Sequence, residues 1–324
     1  MIIQEMTHWK ADDLEKVPCD FCGKDNSKDV IVRPDGLKVV ECSGCGLSYL
    51  SPRPKKELIS KFYEADYFTK PNHSGPSSSI GYPDYFSEKN RSMLNRIAGE
   101  KYQIMCRYVN PQNMRCLEIG CAAGEFSSLL SQRGAQVVGI DLSARAIQEA
   151  KSRYPQVNFF QADITTLSEQ PFDVILAFEV IEHVISPTEF LKAVFTRLRP
   201  GGFAVLTTPN YACGKSLGAK RWSGFSTSFE HLYFFTPDAL TACASAAGLA
   251  TVDWLTDYDD GIARTPGEAS TGSSTASTFK TLLRRLHLLN AARMVKNKVA
   301  PAPPAYRSHG QGHNLFMVMK RGAR

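Results

Sequence analysis

Two Cys-x-x-Cys pairs near the start of the chain have the residue types and the spacing of a metal site. Cys19 and Cys22 form the first pair, Cys42 and Cys45 form the second, and nineteen residues separate the two pairs. A glycine follows the second cysteine of each pair and permits a tight turn there. Four thiolates at this spacing are typical of a closed, structural zinc site, so we predict bound Zn²⁺. Iron and a redox disulfide relay are the alternatives.

The stretch LEIGCAAGEF is a second place where the residue types suggest chemistry. Gly120 follows a strand-like apolar run and Gly124 precedes a helix-like run, so a ligand could approach the backbone and the free N–H groups of the helix start. Asp141 stands 21 residues after Gly120 at the end of the next predicted strand, where a carboxylate can accept hydrogen bonds from both ribose hydroxyls. Glu118 would repel a pyrophosphate but suits a cationic cofactor. The pattern therefore favours a positively charged nucleoside cofactor over NAD or FAD.

The segments around these residues alternate between short apolar runs and amphipathic stretches from Arg115 onward. Strands that alternate with helices of about ten residues indicate a parallel sheet covered on both faces. We predict an α/β fold with a Rossmann-like, doubly wound, mostly parallel sheet of seven strands. A small four-Cys zinc ribbon and a helical segment precede this sheet.

Bulk composition is that of a globular protein. The 324 residues are 43% hydrophobic and 22% charged, and the net charge of +6 permits an anionic substrate without requiring one. The first residues lack the basic and apolar regions of a signal peptide, and no stretch has the roughly eighteen apolar residues that a membrane span needs. Together with nine cysteines, these features predict a reducing, cytoplasmic location.

The cofactor loop resembles the first motif of class I S-adenosylmethionine-dependent methyltransferases. That family has acid-x-Gly-x-Gly-x-Gly, and this chain reads Glu118-x-Gly120-x-Ala122-x-Gly124, with alanine in place of the middle glycine. The resemblance continues in FFQADI, FDVILAFEVIEHV and RLRPGGFAVLTTPN, and it extends over roughly residues 100–257 and the last strand. The most similar branch includes ubiquinone-type O-methyltransferases and sugar or polysaccharide-cluster methyltransferases.

The resemblance implies S-adenosylmethionine as the cofactor and assigns residues to its parts. Asp163 would hold the adenine amino group, with Ile164 beside the ring, and Phe178 and Glu179 would lie at the end of the fourth strand. The candidate cofactor-binding residues are Glu118, Gly120, Ala122, Gly124, Asp141, Leu142, Asp163, Ile164, Phe178 and Glu179.

Methyl transfer to a hydroxyl needs alignment and a base. The fourth strand is not followed by the Asn/Asp-Pro-Pro-Tyr/Phe tetrad of enzymes that methylate exocyclic amines, which favours a hydroxyl acceptor, with carbon as the second choice. His183, at the carboxyl edge of the predicted sheet, is the first candidate base, and His231 is the second. A helix cap or a hydrogen bond in the core is the alternative role for each histidine. Glu182 and Glu230 are candidates to orient the imidazoles.

The segment 211–231 is long, Gly-rich and basic, which is typical of a loop that covers a substrate. Lys215, Arg221, Trp222 and the nearby Tyr233 are candidate contacts for an anionic, stackable acceptor such as a nucleotide-sugar. The stretch ECSGCGLSYLSPRP resembles the amino-terminal zinc modules of sugar and polysaccharide-cluster methyltransferases. That resemblance implies a carbohydrate acceptor in a pocket shaped partly by the ribbon.

Five segments follow from these patterns. They are a zinc-ribbon module (1–50), a helical cap (51–112), the S-adenosylmethionine-binding methyltransferase domain (113–258), a flexible linker with a basic amphipathic helix (259–305) and the last strand of the sheet (306–324).

The leading hypothesis is a methyltransferase that modifies a hydroxyl of a sugar nucleotide, glycan or related metabolite. The enzymatic alternative is an rRNA or tRNA methyltransferase that binds RNA through the ribbon. Nucleic acid is disfavoured because residues 19–46 contain four Lys/Arg against five Asp/Glu. A zinc-ribbon binding module on an inactive scaffold is the third hypothesis, and the intact Glu118, Asp141 and Asp163 argue against it. The basic stretch 279–299 allows at most peripheral membrane contact.

Overall fold

The computed structural model describes residues 9–68, 72–73, 79–80, 84–226, 228–257, 306–308, 310 and 312–323. The predicted linker and basic amphipathic helix at 259–305 lie outside the described residues. Within the described ranges, no helix combines the length and the apolar character that crossing a membrane requires.

The four-cysteine segment folds into a small antiparallel sheet. Its strands are β1 (Leu14–Glu15), β2 (Ser27–Val32), β3 (Lys38–Cys42), β4 (Ser48–Leu50) and β5 (Arg53–Pro54). β2, β3 and β4 pair in sequence, while β1 pairs with β5. The first cysteine pair lies in the turn before β2, and the second spans the end of β3 and the following turn. The sheet thus brings the two pairs to the same end of the module.

The predicted helical segment follows the ribbon. Its elements are α1 (Lys56–Lys61), a π-helical turn (Phe62–Asp66), the short paired strands β6 (Asn72–His73) and β7 (Ser79–Ile80), and α2 (Glu88–Met105). π-helical turns are rare and occur often at functional sites. This one carries Tyr63.

The rest of the described chain alternates between strands and helices. The elements are β8 (Arg115–Ile119), α3 (Glu125–Gln132), β9 (Gln136–Asp141), α4 (Ala144–Arg153), β10 (Asn158–Gln161), β11 (Phe172–Phe178), α5 (Pro187–Arg197), β12 (Leu198–Pro209), α6 (Tyr211–Leu217), β13 (Tyr233–Phe234), α7 (Pro237–Ala246), β14 (Leu249–Asp257), β15 (Tyr306–Ser308) and β16 (Asn314–Arg321).

The main sheet has the strand order β10-β9-β8-β11-β12-β16-β14-β15. The five strands from β10 to β12 in that order are parallel, and β16 runs antiparallel between β12 and β14. The predicted seven-stranded, mostly parallel, doubly wound sheet is confirmed, and β15 adds a short eighth strand. The chain reverses its direction of strand addition between β8 and β11. Ligands of open α/β sheets bind outside the carboxyl ends of strands at such a reversal.

Local sequence signals explain where the helices flanking this sheet begin. The side chains of Ser143, Ser186 and Thr236 accept hydrogen bonds from backbone N–H groups in the first turns of α4, α5 and α7. α5 and α7 also begin with proline, which lacks the N–H that would remain unpaired there. These caps place each helix start directly after a short loop, so the sheet edge is shaped by local sequence.

The ribbon shares a sheet and a core with the later part of the chain. β13 pairs antiparallel with β4, which makes it the outer strand of the ribbon sheet. The Leu50 N–H also donates to the Leu232 carbonyl at 2.9 Å. Val39 and Leu50 are buried in the same hydrophobic cluster as Leu206 of the main sheet. The ribbon therefore packs as part of the same folded unit as the main sheet and not as a separate module.

The segment 211–231 differs from the predicted loop. It forms α6 and a 3-10 turn at Ser223–Phe225. Tyr211, Trp222 and Phe225 are buried and contact one another edge-on or tilted, with ring centroids 4.8–5.3 Å apart. Burial of three aromatic side chains, which the glycine-rich composition concealed, stabilises a helical conformation here.

Leu50→Ala is expected to destabilise the whole protein by about 2–5 kcal/mol, because it empties space in the core that the ribbon and the main sheet share. Urea unfolding followed by far-UV circular dichroism should show one cooperative transition at a lower midpoint. Val32→Ala, at a side chain that is 59% exposed on the same module, should change the free energy of unfolding by less than about 0.5 kcal/mol. A separate early transition that leaves the main sheet intact would contradict the shared core.

Candidate active site

A cavity of about 820 Å³ lies at the carboxyl edge of the main sheet, between α2, the π-helical turn and the segment 222–231. Its volume is within the range of about 300–1,000 Å³ that is usual for ligand sites. Aromatic, acidic and histidine side chains contribute to its lining. Examples are Tyr63, Tyr67, Glu118, Asp141, His183 and His231.

The turn between β8 and α3 requires glycine at two predicted positions. Gly120 has φ of 68°, and a Cβ there would lie 2.7 Å from Cγ2 of Val180. Gly124 has φ of 83°, and a Cβ there would lie 2.6 Å from the Phe159 ring. Both the left-handed backbone and the close packing therefore exclude a side chain. Gly120 lines the cavity, while Gly124 sits at the start of α3.

Ala122 adopts a backbone conformation that usually favours glycine. Its φ is 46°, in the left-handed region, where an L-residue other than glycine costs about 1–2 kcal/mol. The Ala122 N–H donates to Oδ2 of Asp141 at 3.0 Å. The strained turn thus directs a backbone donor at the predicted ribose-binding carboxylate.

Asp141 ends β9 and faces the cavity. Its Oδ1 accepts from the Ser143 N–H at 2.9 Å, so each carboxylate oxygen already accepts one backbone hydrogen bond. Burial raises the pKa of Asp141 to about 6, while the backbone N–H groups favour its charged form. The neighbouring Leu142 also lines the cavity and is 36% exposed. The carboxylate is held rigidly and retains free lone pairs for a diol.

Glu118 and Lys101 also line the cavity. Ser127 donates its hydroxyl to Oε2 of Glu118 at 2.5 Å, and burial raises the pKa of Glu118 to about 8. Lys101, on α2, places Nζ 4.4 Å from the centre of the Phe178 ring. Burial lowers the pKa of Lys101, while the charges of Glu179 and Glu118 oppose that shift. Lys101 was not predicted from the sequence, because only the packing of α2 brings it to this edge.

The remaining predicted cofactor residues lie along the same edge. Asp163 accepts two hydrogen bonds from Thr165 at 2.7 Å through Oδ1, which leaves Oδ2 available, and Ile164 beside it is buried. Glu179 has φ of 55° and accepts a hydrogen bond from the Thr207 hydroxyl at 2.6 Å. These side chains and Phe178 all contribute to the cavity lining.

His183 and His231 meet in the cavity lining. Their ring centroids are 4.7 Å apart in an edge-to-face arrangement. Nδ1 of His183 is hydrogen-bonded to the Tyr63 hydroxyl at 2.7 Å, and Nε2 lies 3.8 Å from Oε1 of Glu182. One nitrogen or carboxylate oxygen from each of Glu182, His183 and His231 lies within 4.8 Å of the others. The structure thus brings together both predicted bases and one of their predicted orienting carboxylates.

Burial sets the charge state of this cluster. It lowers the pKa of His183 to about 4 and holds that of His231 well below the usual value. It raises the pKa of Glu230 to about 7 and, with the adjacent Glu179 carboxylate, holds that of Glu182 well above the usual range. Both imidazoles are therefore neutral at pH 7, and neutral imidazole is the form that accepts a proton.

The predicted acceptor contacts divide into one residue inside the cavity lining and three outside it. Trp222 lines the cavity. Lys215 instead pairs with Glu41 of the ribbon at 2.6 Å, and exposed Arg221 donates Nε to the Leu217 carbonyl.

Tyr233 is the third predicted contact outside the lining. It is buried, and its hydroxyl donates to the Ile185 carbonyl at 3.0 Å. Lys215 and Tyr233 thus bond across the boundary between the ribbon and the rest of the chain, while Arg221 bonds within its own segment.

The four predicted metal ligands converge at the end of the ribbon. The Sγ atoms of Cys19 and Cys45 are 3.4 Å apart, as are those of Cys22 and Cys42, and all four lie within 4.8 Å of one another. Disulfides need about 2.05 Å between sulfurs, and all four cysteines are free. Sulfurs arranged tetrahedrally at about 2.3 Å from zinc would be about 3.8 Å apart. The four residues can therefore hold a metal ion with little movement.

Residues 86–253, slightly more than half of the chain, match the methyltransferase domain family. The chain belongs to this family. The matched range begins before the predicted domain boundary at residue 113 and includes α2, which carries Lys101. The methyltransferase domain therefore contributes both the sheet edge and the helix that closes the cofactor side of the cavity.

Curated relatives of this methyltransferase domain include enzymes of ubiquinone biosynthesis. The ubiquinone biosynthesis O-methyltransferase of Ruegeria pomeroyi is 34% identical over 154 residues, which is 43% of this chain and 61% of the relative. The corresponding protein of Bradyrhizobium diazoefficiens is 38% identical over 40% of this chain and 55% of its own length. The chain thus matches less than two thirds of the length of these relatives.

Solved methyltransferase structures align with a larger share of this chain than the curated relatives do, at lower sequence identity. Magnesium protoporphyrin IX methyltransferase from Synechocystis is 13% identical, with a TM-score of 0.48, over 83% of this chain and 100% of that one. An S-adenosylmethionine-dependent methyltransferase from Mesorhizobium loti is 16% identical, with a TM-score of 0.46, over 70% of this chain and 100% of that one.

Ala122→Gly is expected to leave the free energy of unfolding unchanged or to raise it by up to about 1 kcal/mol, because relief of the left-handed strain offsets the greater entropy of the unfolded chain. Ala123→Gly is the matched control. Ala123 is buried, and its φ lies outside the left-handed region. The control should lose about 0.4–1 kcal/mol. Equal losses for the two variants in urea unfolding would show that the turn is unstrained.

Proposed function

We propose that this protein is an S-adenosylmethionine-dependent O-methyltransferase that acts on a hydroxyl of a small, ring-shaped acceptor. The observation that carries the proposal is that one cavity is lined both by the glycine turn with Asp141 and by a neutral histidine pair. Such a cavity can align a methyl donor with a hydroxyl and accept the proton that the hydroxyl loses. The curated relatives are ubiquinone biosynthesis O-methyltransferases, which supports the same reaction class.

The cofactor fits the residues of the sheet edge. Asp141 would bind the ribose hydroxyls through its free lone pairs, and Asp163 with Ile164 would take the adenine. Glu118 and Lys101 offer hydrogen-bonding partners for the amino and carboxylate groups of the methionine part. The charged amino group would favour the ionised form of Glu118, which burial alone disfavours. When bound, S-adenosylmethionine supplies the electrophilic methyl group, and the acid-rich lining suits its sulfonium charge.

The acceptor side combines aromatic rings with few cations. Tyr63, Tyr67 and Trp222 line it, and the lysines among the described lining residues are Lys56 and Lys101. Lys215 and Arg221 do not contribute positive charge to the cavity. These features support a neutral ring, such as a phenol, over the diphosphate of a sugar nucleotide. The carbohydrate acceptor keeps the support of the ribbon resemblance alone.

The four cysteines are proposed to hold a structural Zn²⁺. All four positions of a tetrahedral ion would be filled by sulfur, which leaves no place for a reacting water. The ion would stabilise the turns that start β2 and end β3, and through β4 it would stabilise β13. Zinc would therefore stabilise the fold of the ribbon sheet and take no part in methyl transfer.

The deciding experiment incubates the protein with isotopically labelled S-adenosylmethionine and three acceptor pools, and detects labelled products by mass spectrometry. The pools are phenols and catechols, sugar nucleotides and glycans, and rRNA with tRNA. Label in the phenol pool supports the proposal. Label in the sugar pool would show that the acceptor is a carbohydrate and not a phenol. Salt-sensitive binding and label in RNA alone would overturn the small-molecule class.

Asp141→Ala is expected to weaken S-adenosylmethionine binding by at least about tenfold, because hydrogen bonds to a charged group contribute about 1.5–3 kcal/mol each. Isothermal titration calorimetry measures the dissociation constant directly, without an acceptor. Asp29→Ala, on an exposed ribbon strand, is the control and should bind as the wild type does. Unchanged affinity in Asp141→Ala would reject the cofactor assignment.

His183→Asn is expected to lower kcat by about 10²–10⁴-fold while the dissociation constant of S-adenosylmethionine stays the same, because it removes the base and leaves the cofactor side intact. In the wild type, neutral His183 is the active form and its pKa is about 4. The acid limb of kcat should therefore lie near pH 4, with no loss between pH 8 and about 5.5. A limb near pH 6.5 would indicate a solvated histidine instead.

A further inference from the structure

Arg33 is a buried cation on the ribbon hairpin. Its side chain is fully buried, and Asp35 on the same hairpin accepts hydrogen bonds from Nε, at 3.1 Å, and from Nη2. Burying such a pair is costly unless the remaining donors also find partners. The groups that accept hydrogen bonds from the remaining Arg33 N–H donors therefore show which part of the protein the Arg33–Asp35 pair holds in place.

Two further hydrogen bonds of Arg33 reach one segment far along the chain. Nη1 donates to the His231 carbonyl at 3.0 Å and Nη2 donates to the Phe229 carbonyl at 2.9 Å. The Arg33 guanidinium also lies 5.5 Å from the centre of the Phe229 ring. Because the guanidinium is planar and rigid, two carbonyls that it binds are fixed relative to each other.

The bound segment carries the acceptor-side histidine. Glu230 and His231 line the cavity, and the His231 ring contacts His183. On the other side, the N–H groups of Leu232 and Tyr233 donate to the Glu182 carbonyl at 2.8 and 3.2 Å. The segment is thus held between the ribbon hairpin and the turn that follows β11. The His231 ring contacts His183 in that turn.

The charge of Arg33 also acts on this segment. The ionisable groups around His231 are His183 and Glu182 from the end of β11, Glu230 from its own segment and Arg33 from the ribbon. Burial holds the pKa of His231 well below its usual value, and the charges of His183 and Arg33 add to that effect. A cation fixed beside an imidazole disfavours the imidazolium.

We infer that Arg33, fixed by Asp35, is a positioning residue for the acceptor side of the active site. By binding the Phe229 and His231 carbonyls, it holds the neutral His231 ring against His183 and couples the zinc ribbon to methyl transfer. The catalytic consequence rests on the proposed function, while the structural coupling does not.

Arg33→Met, Arg33→Lys and Lys38→Met test this role. Lys38 is on the same hairpin but pairs with Asp29 in solvent, so its replacement is the matched control. Histidine side-chain NMR across a pH titration reports on His231 without any substrate. Arg33→Met should move the protonation of His231 to higher pH. Arg33→Lys, which keeps the charge, should remain near the wild type, and Lys38→Met should not differ from it.

The kinetic arm separates positioning from general stability. Arg33→Met should lower kcat about 10–100-fold, as a misplaced catalytic group does, while calorimetry shows an unchanged dissociation constant for S-adenosylmethionine. Arg33→Lys should recover part of kcat. If Arg33→Met does not fold, Asp35→Asn takes its place, because it loosens the guanidinium without removing it. Asp35→Asn should then lower kcat relative to Lys38→Met, and equal kcat values in these two variants would contradict the inference.

Two outcomes would overturn the inference. One is an unchanged His231 titration in folded Arg33→Met. The other is equal loss of kcat in Arg33→Met and Lys38→Met. A wild-type protein that binds S-adenosylmethionine and methylates no pool would reject the proposed function, yet the NMR titration would still decide the role of Arg33.

Discussion

The backbone pairing of β4 with β13 is the constraint on which the acceptor side depends. This pairing joins residues near the start of the chain to the segment after Trp222, and it makes one continuous sheet of ribbon and methyltransferase elements. Arg33, Arg53 and Lys215 then add side-chain bonds across the same boundary. Because backbone hydrogen bonds fix register, these side chains have little freedom once β4 and β13 have paired. The register of β4 and β13 therefore also fixes Glu230 and His231, which precede β13 and line the cavity.

Low polarity around the histidine pair determines what chemistry is available. In water, two histidines beside two glutamates would form ion pairs at neutral pH. In the buried cluster, desolvation moves the histidine and glutamate pKa values in opposite directions. At neutral pH both histidines and Glu182 are therefore uncharged, while the pKa of Glu230 lies at about 7. Under the proposed function, the site would accept a proton without first carrying a positive charge near the sulfonium of the methyl donor.

Much of the fold and half of the site could be predicted because their signals are local. The β8 turn, Asp141 and Asp163 follow strands with clear apolar patterns, so their positions at one sheet edge follow from the order of elements. Arg33 and Lys101 could not be predicted, since their partners lie on distant elements. Lys215 and Tyr233 were assigned to the acceptor for the same reason. Their residue types suit a ligand, but their nearest partners are Glu41 and Ile185.

The ribbon sheet also has a consequence for how the protein folds during synthesis. Its four cysteines leave the ribosome early, whereas 180 residues separate Arg53 from Tyr233, its partner across the boundary. Contacts of such high sequence separation form late, because closing a long loop costs chain entropy. In a growing chain the ribbon strands can therefore pair first, and the edge of β4 stays unpaired until β13 is made. The ribbon, although it is synthesised before β13, would be among the last parts of this sheet to reach its native contacts.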